Sequence, residues 1–514
     1  MQGPPDPRRM PDPGRCQPNP NSHASPQSHL DPSLDDPESG TLGGQGMSTA
    51  TDVGNATELK VPKRRNIELA LLLFAIATGA FAYANVDLTL NGALPLDFWP
   101  QVGAFAALLV AAHVAIRILA PYADPYLLPA VAMLNMIGLA MIHRLDLADR
   151  ARAEANGTRM PSATADAQFT WLVLAVALFV VTLLVVRDHR RLQRYTYTAM
   201  LAGVLLLLLP LVPGIGTDIN GATLWIRVGP FTFQPSELSK ILLTIFFAGY
   251  LVLKRESLAV VRKKVLGLGI PRGRDLGPII VAWFIALGVL AFEKDLGTAL
   301  MFFGLFVVML YVATGRRSWL VIGAVLLAVG GVLGYLAFAH VRLRVEIWLD
   351  TWSYAQDQSY QLAQGLFGLA SGGLLGSGLG EGFPQFVPFA KSDLIADALG
   401  EEIGLTGLAA VLLLYAVIVQ RSLRTAVAVR DPFGTLLAVG LATVLALQVF
   451  VVVGGVTRLI PLTGLTTPFL AAGGSALLAN WIMIALVLRV SDRARRPQQP
   501  TVPMAAAAAP AVDA

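Results

Sequence analysis

The chain has few charged side chains and a single cysteine, and both shortages restrict what it can be. Only 14% of its 514 residues are Asp, Glu, Lys or Arg, whereas 55% are hydrophobic and the mean hydropathy is +0.61. Soluble domains carry about 25% charged residues, so this composition indicates a membrane protein with many spans. The single cysteine, Cys16, excludes an intramolecular disulfide.

Sequence motifs for nucleotide and metal binding are also missing. No GxxxxGK[ST] sequence occurs, which argues against a P-loop ATPase. None of the six histidines stands in an HExxH or Cys/His ligand pattern, so the sequence predicts no structural metal site. The net charge of +5 is spread over short basic clusters between apolar segments, which indicates membrane topology rather than binding of nucleic acid.

Twelve apolar segments approach the ~20 residues that a helix needs to cross a bilayer. They predict an all-α polytopic membrane protein with spans at about 67–84, 98–119, 126–142, 169–186, 197–213, 237–253, 277–292, 298–314, 318–339, 403–420, 434–456 and 468–490. Clusters of Lys and Arg, which mark cytoplasmic segments, precede the first span and follow the last. We therefore expect both termini in the cytoplasm, and the segments 214–236, 340–402 and 457–467 outside it.

The two ends of the chain have a composition unlike the rest. Residues 1–59 are predicted to be a disordered cytoplasmic tail, because 1–46 are rich in Pro, Asp, Ser and Gly and lack apolar periodicity. Met47 opens a tidier segment, and we expect translation to start there. Residues 491–514 are predicted to be a second disordered cytoplasmic tail. Within the bundle, the outer loop 143–168 carries four Arg and four acids and does not follow the charge rule.

The segment 357–405 is polar although long apolar helices flank it. Its apolar runs are short and broken by Gly and Pro, so it cannot cross a bilayer as one helix. Within the large outer loop 340–402, Asp393 follows Lys391 and Ser392 and precedes an apolar, helical run. Membrane proteins keep their polar chemistry in such loops and cavities, and we predict the reaction site here.

Lys240 is the second unusual residue, since it falls about one turn inside a predicted span. A lysine there is costly unless it is paired or lines a wet cavity. Asp393 is the best-motivated acid on that side, so we predict that the two lie close together in an outward-opening cavity. The alternative is a lysine that extends to the membrane interface.

Six motifs, in order, make the chain resemble the SEDS family (shape, elongation, division and sporulation), which includes RodA, FtsW and SpoVE. They are NGA with WI at 220–226, QPSE with Lys240 at 234–240, DLGT at 295–298, a glycine-rich stretch at 371–380, SD with GEE at 392–402, and PF with GGS at 468–475. The resemblance covers roughly 126–490 and implies a ten-helix core, to which 60–125 would add two N-terminal transmembrane helices. Two departures from the family pattern are Leu224, usually Arg, and Asp397, usually Ala or Ser.

This resemblance implies a peptidoglycan glycosyltransferase that polymerises lipid II on the outer face of the cytoplasmic membrane. The process would be cell elongation or division, with overall similarity favouring a RodA-like protein, and the implied partner is a class B penicillin-binding protein. Asp393 would be the general base of an inverting reaction, because the lipid pyrophosphate is already a good leaving group and needs no strong acid. Substrate-binding roles are expected for Lys240, Trp225, Arg342, Arg344, Gln234, Glu237 and Ser392. No cofactor is certain, although a divalent cation, Mg²⁺ or Mn²⁺, would shield the pyrophosphate.

Plainer roles stay open at these positions. Asp393 could be an acid favoured by a helix N-terminus, Trp225 an interfacial aromatic residue, and Arg342 and Arg344 surface charges. Glu237 fits an ion pair or a cap better than a catalytic role. The competing function is a flippase for lipid-linked precursors, since twelve spans with charged residues in helices suit a transporter. Against it, the two halves show no obvious repeat and the polar segments cluster on one side.

Overall fold

The structure is a computed structural model that describes residues 63–497, except 220, 230, 260–262, 266–267, 271–283, 285–287 and 289–292. Helices dominate it. Their bounds are α1 Arg65–Asn91, α2 Phe98–Leu119, α3 Leu127–Ala155, α4 Thr164–Val185, α5 Thr196–Leu208, α6 Pro235–Ala259, α7 Leu296–Thr314, α8 Ser318–Ala337, α9 Ala339–Leu349, α10 Tyr360–Gly372, α11 Ile395–Ala428, α12 Pro432–Val456 and α13 Gly474–Arg495. Short 3-10 helices lie at His189–Tyr195, Leu209–Leu211 and Pro384–Phe386.

The predicted membrane fold is confirmed. In the described residues, eleven helical segments are long and apolar enough to cross a membrane, and they coincide with eleven of the predicted spans. The other predicted span, 277–292, lies outside the described residues except for positions 284 and 288, and the predicted tail 1–59 lies outside them entirely. Helix α13 continues to Arg495, past position 491 where the second tail was expected to begin; residues 498–514 are outside the described part.

The spans differ sharply in how much of their surface other helices cover. In α3 and α13, 83% of the most apolar window is buried, whereas in α8 the figure is 6%. A helix that is apolar on all sides is buried in protein or faces lipid. Helices α3 and α13 are therefore central, whereas α8 lies at the edge of the bundle with an apolar surface suited to face lipid.

Because the spans alternate in direction, the bundle has two faces. Helices α1 and α3 end, and α4 and α11 begin, at what we call the Asp393 face, where Lys391 contacts Asp146 at the end of α3. At the opposite face, Asp124 between α2 and α3 pairs with Arg421 and Arg495, near the ends of α11 and α13. Side chains that are distant in sequence therefore meet at each face.

The segments between spans contain more regular structure than expected. Between α5 and α6, strands β1 (Gly216–Ile219), β2 (Ala222–Val228) and β3 (Phe231–Phe233) form an antiparallel sheet in chain order, with Gly216 opposite Ile226 and Arg227 opposite Thr232. Strands β4 (Lys263–Val265) and β5 (Leu268–Ile270) form a hairpin after α6. The predicted loop 340–402 contains α9 and α10, and its last residues, from Ile395 on, already belong to α11.

Helix α11 is interrupted at Gly404, whose φ of 67° and ψ of −177° are not helical. Glycine adopts such a conformation at little cost. The preceding loop completes the hydrogen bonds at the break: the amide of Leu405 donates to the Gly373 carbonyl and the amide of Ser377 to the Glu401 carbonyl, both at 3.0 Å. Irregular backbone within a membrane protein must find such protein partners, and the loop supplies them here.

Candidate active site

Asp393 lies in a tight turn immediately before α11. Phe389 opens the turn in a left-handed conformation, with φ of 54°. The amides of Ser392 and Leu394 both donate to the Phe389 carbonyl, at 2.9 and 3.2 Å. The Asp393 side chain is half-buried. The turn therefore fixes this carboxylate at the end of a long helix.

A cation from another element faces the carboxylate. Arg344 of α9 donates from Nη1 to the Leu462 carbonyl. A Cβ atom built at Gly464 would lie 3.6 Å from Asp393 Oδ2 and 3.9 Å from Arg344 Nη2. Gly464 also has a φ of 78°, which favours glycine. The carboxylate and the guanidinium thus border one small space that a side chain at Gly464 would occupy.

The surroundings change the acidity of Asp393. Burial raises its pKa to about 6; the hydrogen bond from Ser392 and the charge of Arg344 limit the rise, and the charge of Asp295 adds to it. Burial lowers the pKa of Arg344, and the charges of Asp295 and Asp393 partly offset that decrease. A carboxyl group with a pKa near 6 is ionised at neutral pH yet is more basic than an ordinary aspartate. Asp393 is therefore suited to accept a proton.

Two further acids lie near this position. Asp295 is the N-cap of α7: its Oδ1 accepts the amide of Thr298 at 2.9 Å, whereas its buried Oδ2 has no hydrogen-bond partner among the described residues. Burial raises the pKa of Asp295; burial and the charge of Asp295 raise that of Glu293 to about 8. Within the described residues, no group of three or more His, Cys, Asp or Glu is arranged to hold a metal ion. In the described structure, the cation that faces Asp393 is the guanidinium of Arg344.

Lys240 has a different ion partner from the one that the sequence suggested. Its Nζ lies 2.5 Å from Glu237 Oε2, and it donates to Gln448 Oε1 at 2.9 Å and Asn480 Oδ1 at 3.2 Å. The predicted pairing with Asp393 is therefore wrong, because an acid one turn away on α6 and two amides satisfy the ammonium. Its side chain is 1% exposed, so in the described structure it does not line an open cavity.

Gln234 and Glu237 lie at the start of α6, close to the acids beside the site. Gln234 is buried, and its carbonyl accepts the amide of Glu237 at 3.2 Å. The charge of Glu237 adds to the rise in the pKa of Asp295 that burial causes. Through Asp295, the buried Lys240–Glu237 pair is therefore electrostatically connected to the region of the candidate base.

Two other predicted site residues are engaged elsewhere. Arg342 is exposed; it donates to the carbonyls of Tyr335 and Leu336, at 3.4 and 3.3 Å, and lies over the Tyr335 ring. It therefore caps the end of α8. Trp225 is half-buried in β2, opposite Thr217. Neither has a described contact with the Asp393 turn.

Lys391, for which the sequence predicted no role, anchors the turn before α11. Its Nζ lies 2.6 Å from both Asp146 Oδ1 and Asp149 Oδ2 of α3. Its carbonyl accepts the amide of Ala472 at 2.8 Å. The sequence did contain a hint of this contact, since segment 143–168 carries more charged residues than expected for its position in the topology. Two of these residues, Asp146 and Asp149, bind Lys391.

Arg144 and two glutamates attach the glycine-rich loop to α11. Arg144 donates from Nε to Glu402 Oε1 and from Nη2 to the Gly382 carbonyl, both at 2.7 Å. The amide of Phe383 donates to Glu401 Oε1 at 2.7 Å. Because these contacts join α3, the loop and α11, they support the helix that begins next to Asp393.

Asp397, one turn after Asp393, is a buried acid of another kind. It is fully buried, and neither carboxyl oxygen has a hydrogen-bond partner in the described structure. A Cβ atom built at Gly365 of α10 would lie 2.4 Å from its Oδ2, so glycine is what allows α10 to approach. In the described structure, Asp397 therefore lies against the backbone of α10 at Gly365 and has no charged partner.

The fold and the site define a polytopic membrane protein with a half-buried carboxylate and a facing arginine at one end of an apolar helical bundle. A family model described as FtsW/RodA/SpoVE, cell cycle protein, matches residues 125–496. The chain therefore belongs to the FtsW/RodA/SpoVE family, which is the SEDS family that its motifs indicated.

Several relatives match most of the chain. Peptidoglycan glycosyltransferase RodA of Mycobacterium tuberculosis H37Rv is 49% identical over 452 residues, 88% of this chain and 95% of that protein. RodA of Mycobacterium leprae is 47% identical over 444 residues, 85% of this chain and 92% of that protein. A probable peptidoglycan glycosyltransferase FtsW of Geobacter metallireducens is 35% identical over 333 residues, 63% of this chain and 84% of that protein. The mycobacterial matches are too long to fit within 125–514, so they extend into α1 and α2.

A solved structure supports the same fold. One chain of the structure described as "Structural coordination of polymerization and crosslinking by a peptidoglycan synthase complex" is similar with a TM-score of 0.56 and 25% sequence identity. The similarity covers 73% of this chain and 99% of that chain.

Proposed function

We propose that Asp393 is the general base with which this protein, a peptidoglycan glycosyltransferase, polymerises lipid II into glycan strands. The activity is the one named for the mycobacterial relatives at 49% and 47% identity. The observation that carries the choice of base is the half-buried Asp393, with a pKa of about 6, facing Arg344 across the space beside Gly464.

The proposed reaction needs one base and one site of positive charge. A hydroxyl of the acceptor sugar attacks the anomeric carbon of the donor, and its proton passes to Asp393. The bond from that carbon to the lipid pyrophosphate breaks, and the pyrophosphate leaves with the electron pair. Attack from the opposite side inverts the anomeric centre. Arg344 faces the base, so its guanidinium can stabilise charge that develops on the departing phosphate.

The other predicted substrate residues support this arrangement to different degrees. The Ser392 hydroxyl donates to the Phe389 carbonyl at 3.4 Å within the same turn and limits the rise in the pKa of Asp393, and we propose that it orients the carboxylate toward the acceptor. Gln234, Glu237 and Lys240 are buried near Asp295. Their proposed role is to support, without exposure to solvent, the part of the site that binds the donor. Trp225 and Arg342, which lack contacts with the turn, are proposed as contacts to parts of the substrate farther from the reacting atoms.

The proposed orientation places the Asp393 face outside the cytoplasmic membrane and both termini in the cytoplasm, because Lys and Arg clusters favour the cytoplasmic side. The proposed partner is a class B penicillin-binding protein, the kind of partner suggested by the likeness to a chain of a peptidoglycan synthase complex. The two mycobacterial relatives named RodA favour a role in elongation over one in division.

Reconstitution of the purified protein with its partner in liposomes tests the proposal. Fluorescent lipid II is added only from the side of the Asp393 face, whose orientation is checked by labelling a cysteine introduced into β2. The glycosyltransferase yields glycan polymer without prior translocation. Transport of lipid II to the other leaflet with no polymer would instead support the flippase.

A further inference from the structure

A basic cavity of about 400 Å³ opens at the face opposite Asp393, where α1 begins and α2 ends. Six residues line it, and none of the six is acidic: Lys63, Arg64, Arg65, Asn66, Ile67 and Arg117. The cations come from two different helices and the turn that precedes the first. The cavity is therefore a convergence of side chains rather than an effect of one helix terminus.

One of these cations is already neutralised and serves to build the cavity. Arg65 is buried, pairs with Glu68 and donates to the Ala123 carbonyl. Its Nε also donates to the Lys63 carbonyl at 3.1 Å, which holds the turn in place. Arg64 adopts a left-handed conformation in that turn, with φ of 49°. The turn thus brings Lys63 and Arg64 to the mouth of the cavity.

The other three cations have no carboxylate partner in the described part of the chain. The Arg64 guanidinium is exposed and makes none of the described hydrogen bonds or ion pairs. Arg117 makes one of the described hydrogen bonds, to Asn66 Oδ1 at 3.3 Å. Lys63 lies 5.7 Å from the centre of the Tyr122 ring. Among the described residues, three positive charges therefore face one space without a carboxylate partner.

Other arginines at the same face are used differently. Arg421 and Arg495 both pair with the buried Asp124, and Arg496 pairs with Asp492 at 2.8 Å. Those contacts neutralise the charges within the protein. The cavity differs because three of its four cations have no acidic partner among the described residues and are available for an anion from outside.

The surface next to the cavity is apolar and open. Ile67 lines the cavity and is 45% exposed, and on α2 the side chains of Val114 and Ile118 are 44% and 70% exposed. The site thus combines a basic cavity that can bind an anion with an adjoining apolar surface that acyl chains can cover. A soluble anion would use the first feature, whereas a membrane lipid would use both.

We propose that this cavity binds the phosphodiester headgroup of an anionic membrane phospholipid, with the acyl chains lying along α1 and α2. Arg64 and Arg117 would donate to the phosphate oxygens and Lys63 would add a point charge. Basic pockets at helix ends on one side of a membrane recognise lipid headgroups in this way. The site belongs to the two helices that precede the 125–496 segment matched by the family model, so it is separate from the Asp393 site and does not depend on the proposed reaction.

Native mass spectrometry of the full chain in detergent, titrated with phosphatidylglycerol or phosphatidylcholine, tests the proposal. Wild type should bind phosphatidylglycerol more tightly than phosphatidylcholine. The R64Q/R117Q variant should lose roughly 25-fold in affinity for phosphatidylglycerol, at about fivefold per cation near a membrane surface. The matched control is R191Q/R194Q, which removes two exposed arginines from another basic cluster at the same face and should change the affinity less than about twofold.

Three outcomes would overturn the proposal: an equal loss in R191Q/R194Q, equal binding of the two lipids by wild type, or full displacement of phosphatidylglycerol by millimolar inorganic phosphate. The last would assign the cavity to a soluble anion. If R64Q/R117Q does not fold, the K63Q variant tests the proposal instead. It changes a single exposed cation at the start of the described chain, where the effect on folding should be small. It should lose about fivefold, and an unchanged affinity would refute the site.

Discussion

Replacing Asp393 with Asn tests the proposed base with the least disturbance of structure. The amide keeps the size of the carboxyl group but cannot accept the proton. The turn should survive, since it is held by the Phe389 carbonyl and by the contacts of Lys391 with α3 rather than by the Asp393 carboxylate. Loss of a general base costs ~10²–10⁴-fold in rate, or about 3–5 kcal/mol of transition-state free energy.

The pH dependence makes the prediction more specific. Because burial raises the pKa of Asp393 to about 6, the carboxylate is mostly ionised at pH 7 and becomes protonated as the pH falls through 6. Wild-type polymerisation should therefore fall about tenfold per pH unit well below that pKa and level off above it. The residual activity of Asp393→Asn should lack this step.

The assay is polymerisation of lipid II by the purified protein with its partner, followed over a range of pH and normalised to folded protein. Asp295→Asn is the matched control, because asparagine also caps a helix and the change removes a buried acid near the same site. It should retain most of the activity. Equal polymer yield from Asp393→Asn and wild type would refute the assignment, and selective loss in Asp295→Asn would move the base to the start of α7.

Three further changes follow from the same geometry. Arg344→Gln removes a charge that limits the pKa of Asp393, so the midpoint of the pH–rate profile should rise above 6 and the plateau should fall ~10²–10³-fold; an unshifted midpoint would contradict the contact. Asp397→Ala removes a carboxyl group whose oxygens have no hydrogen-bond partner in the described structure; thermal unfolding in detergent should show a free energy of unfolding raised by ~1–3 kcal/mol, with the polymerisation rate unchanged. Asp431→Ala removes the N-cap of α12 and its contact with His189, and the free energy of unfolding should fall by ~1–2 kcal/mol. Although burial acts in the opposite direction, the His189 hydrogen bond lowers the pKa of Asp431 to about 2. The stabilisation by Asp431 should therefore persist above pH 4 and be lost as the pH falls toward 2, which thermal unfolding of wild type and variant over this pH range measures.

The membrane spans could be predicted from the sequence because the length of an apolar run carries the information by itself. The position of Asp393 could also be predicted, since a polar loop that enters an apolar helix stands out in this chain. The partner of Lys240 could have been found too. Glu237 lies three positions earlier, and such residues are neighbours on a helix. The predicted pairing was wrong because it favoured Asp393, which is distant in sequence, over Glu237 on the same helix.

Other parts of the site required the structure. The approach of Arg344 to Asp393 depends on Leu462 and Gly464, which lie in irregular backbone between α12 and α13. Hydrophobic periodicity carries no information about such contacts. The anchoring of Lys391 by Asp146 likewise joins distant parts of the chain, and the sequence showed only that the charges near α3 were out of place.

The break in α11 at Gly404 has a consequence for how this part of the protein unfolds. The amides and carbonyls on either side of the break are bonded to the glycine-rich loop, including Leu405 to Gly373 and Ser377 to Glu401. If the loop detached, those backbone groups would lose their partners in an environment poor in water. The loop and the part of α11 before Gly404 should therefore open as a single cooperative unit in hydrogen exchange, and a deletion within the loop should reduce the protection of amides in that part of the helix.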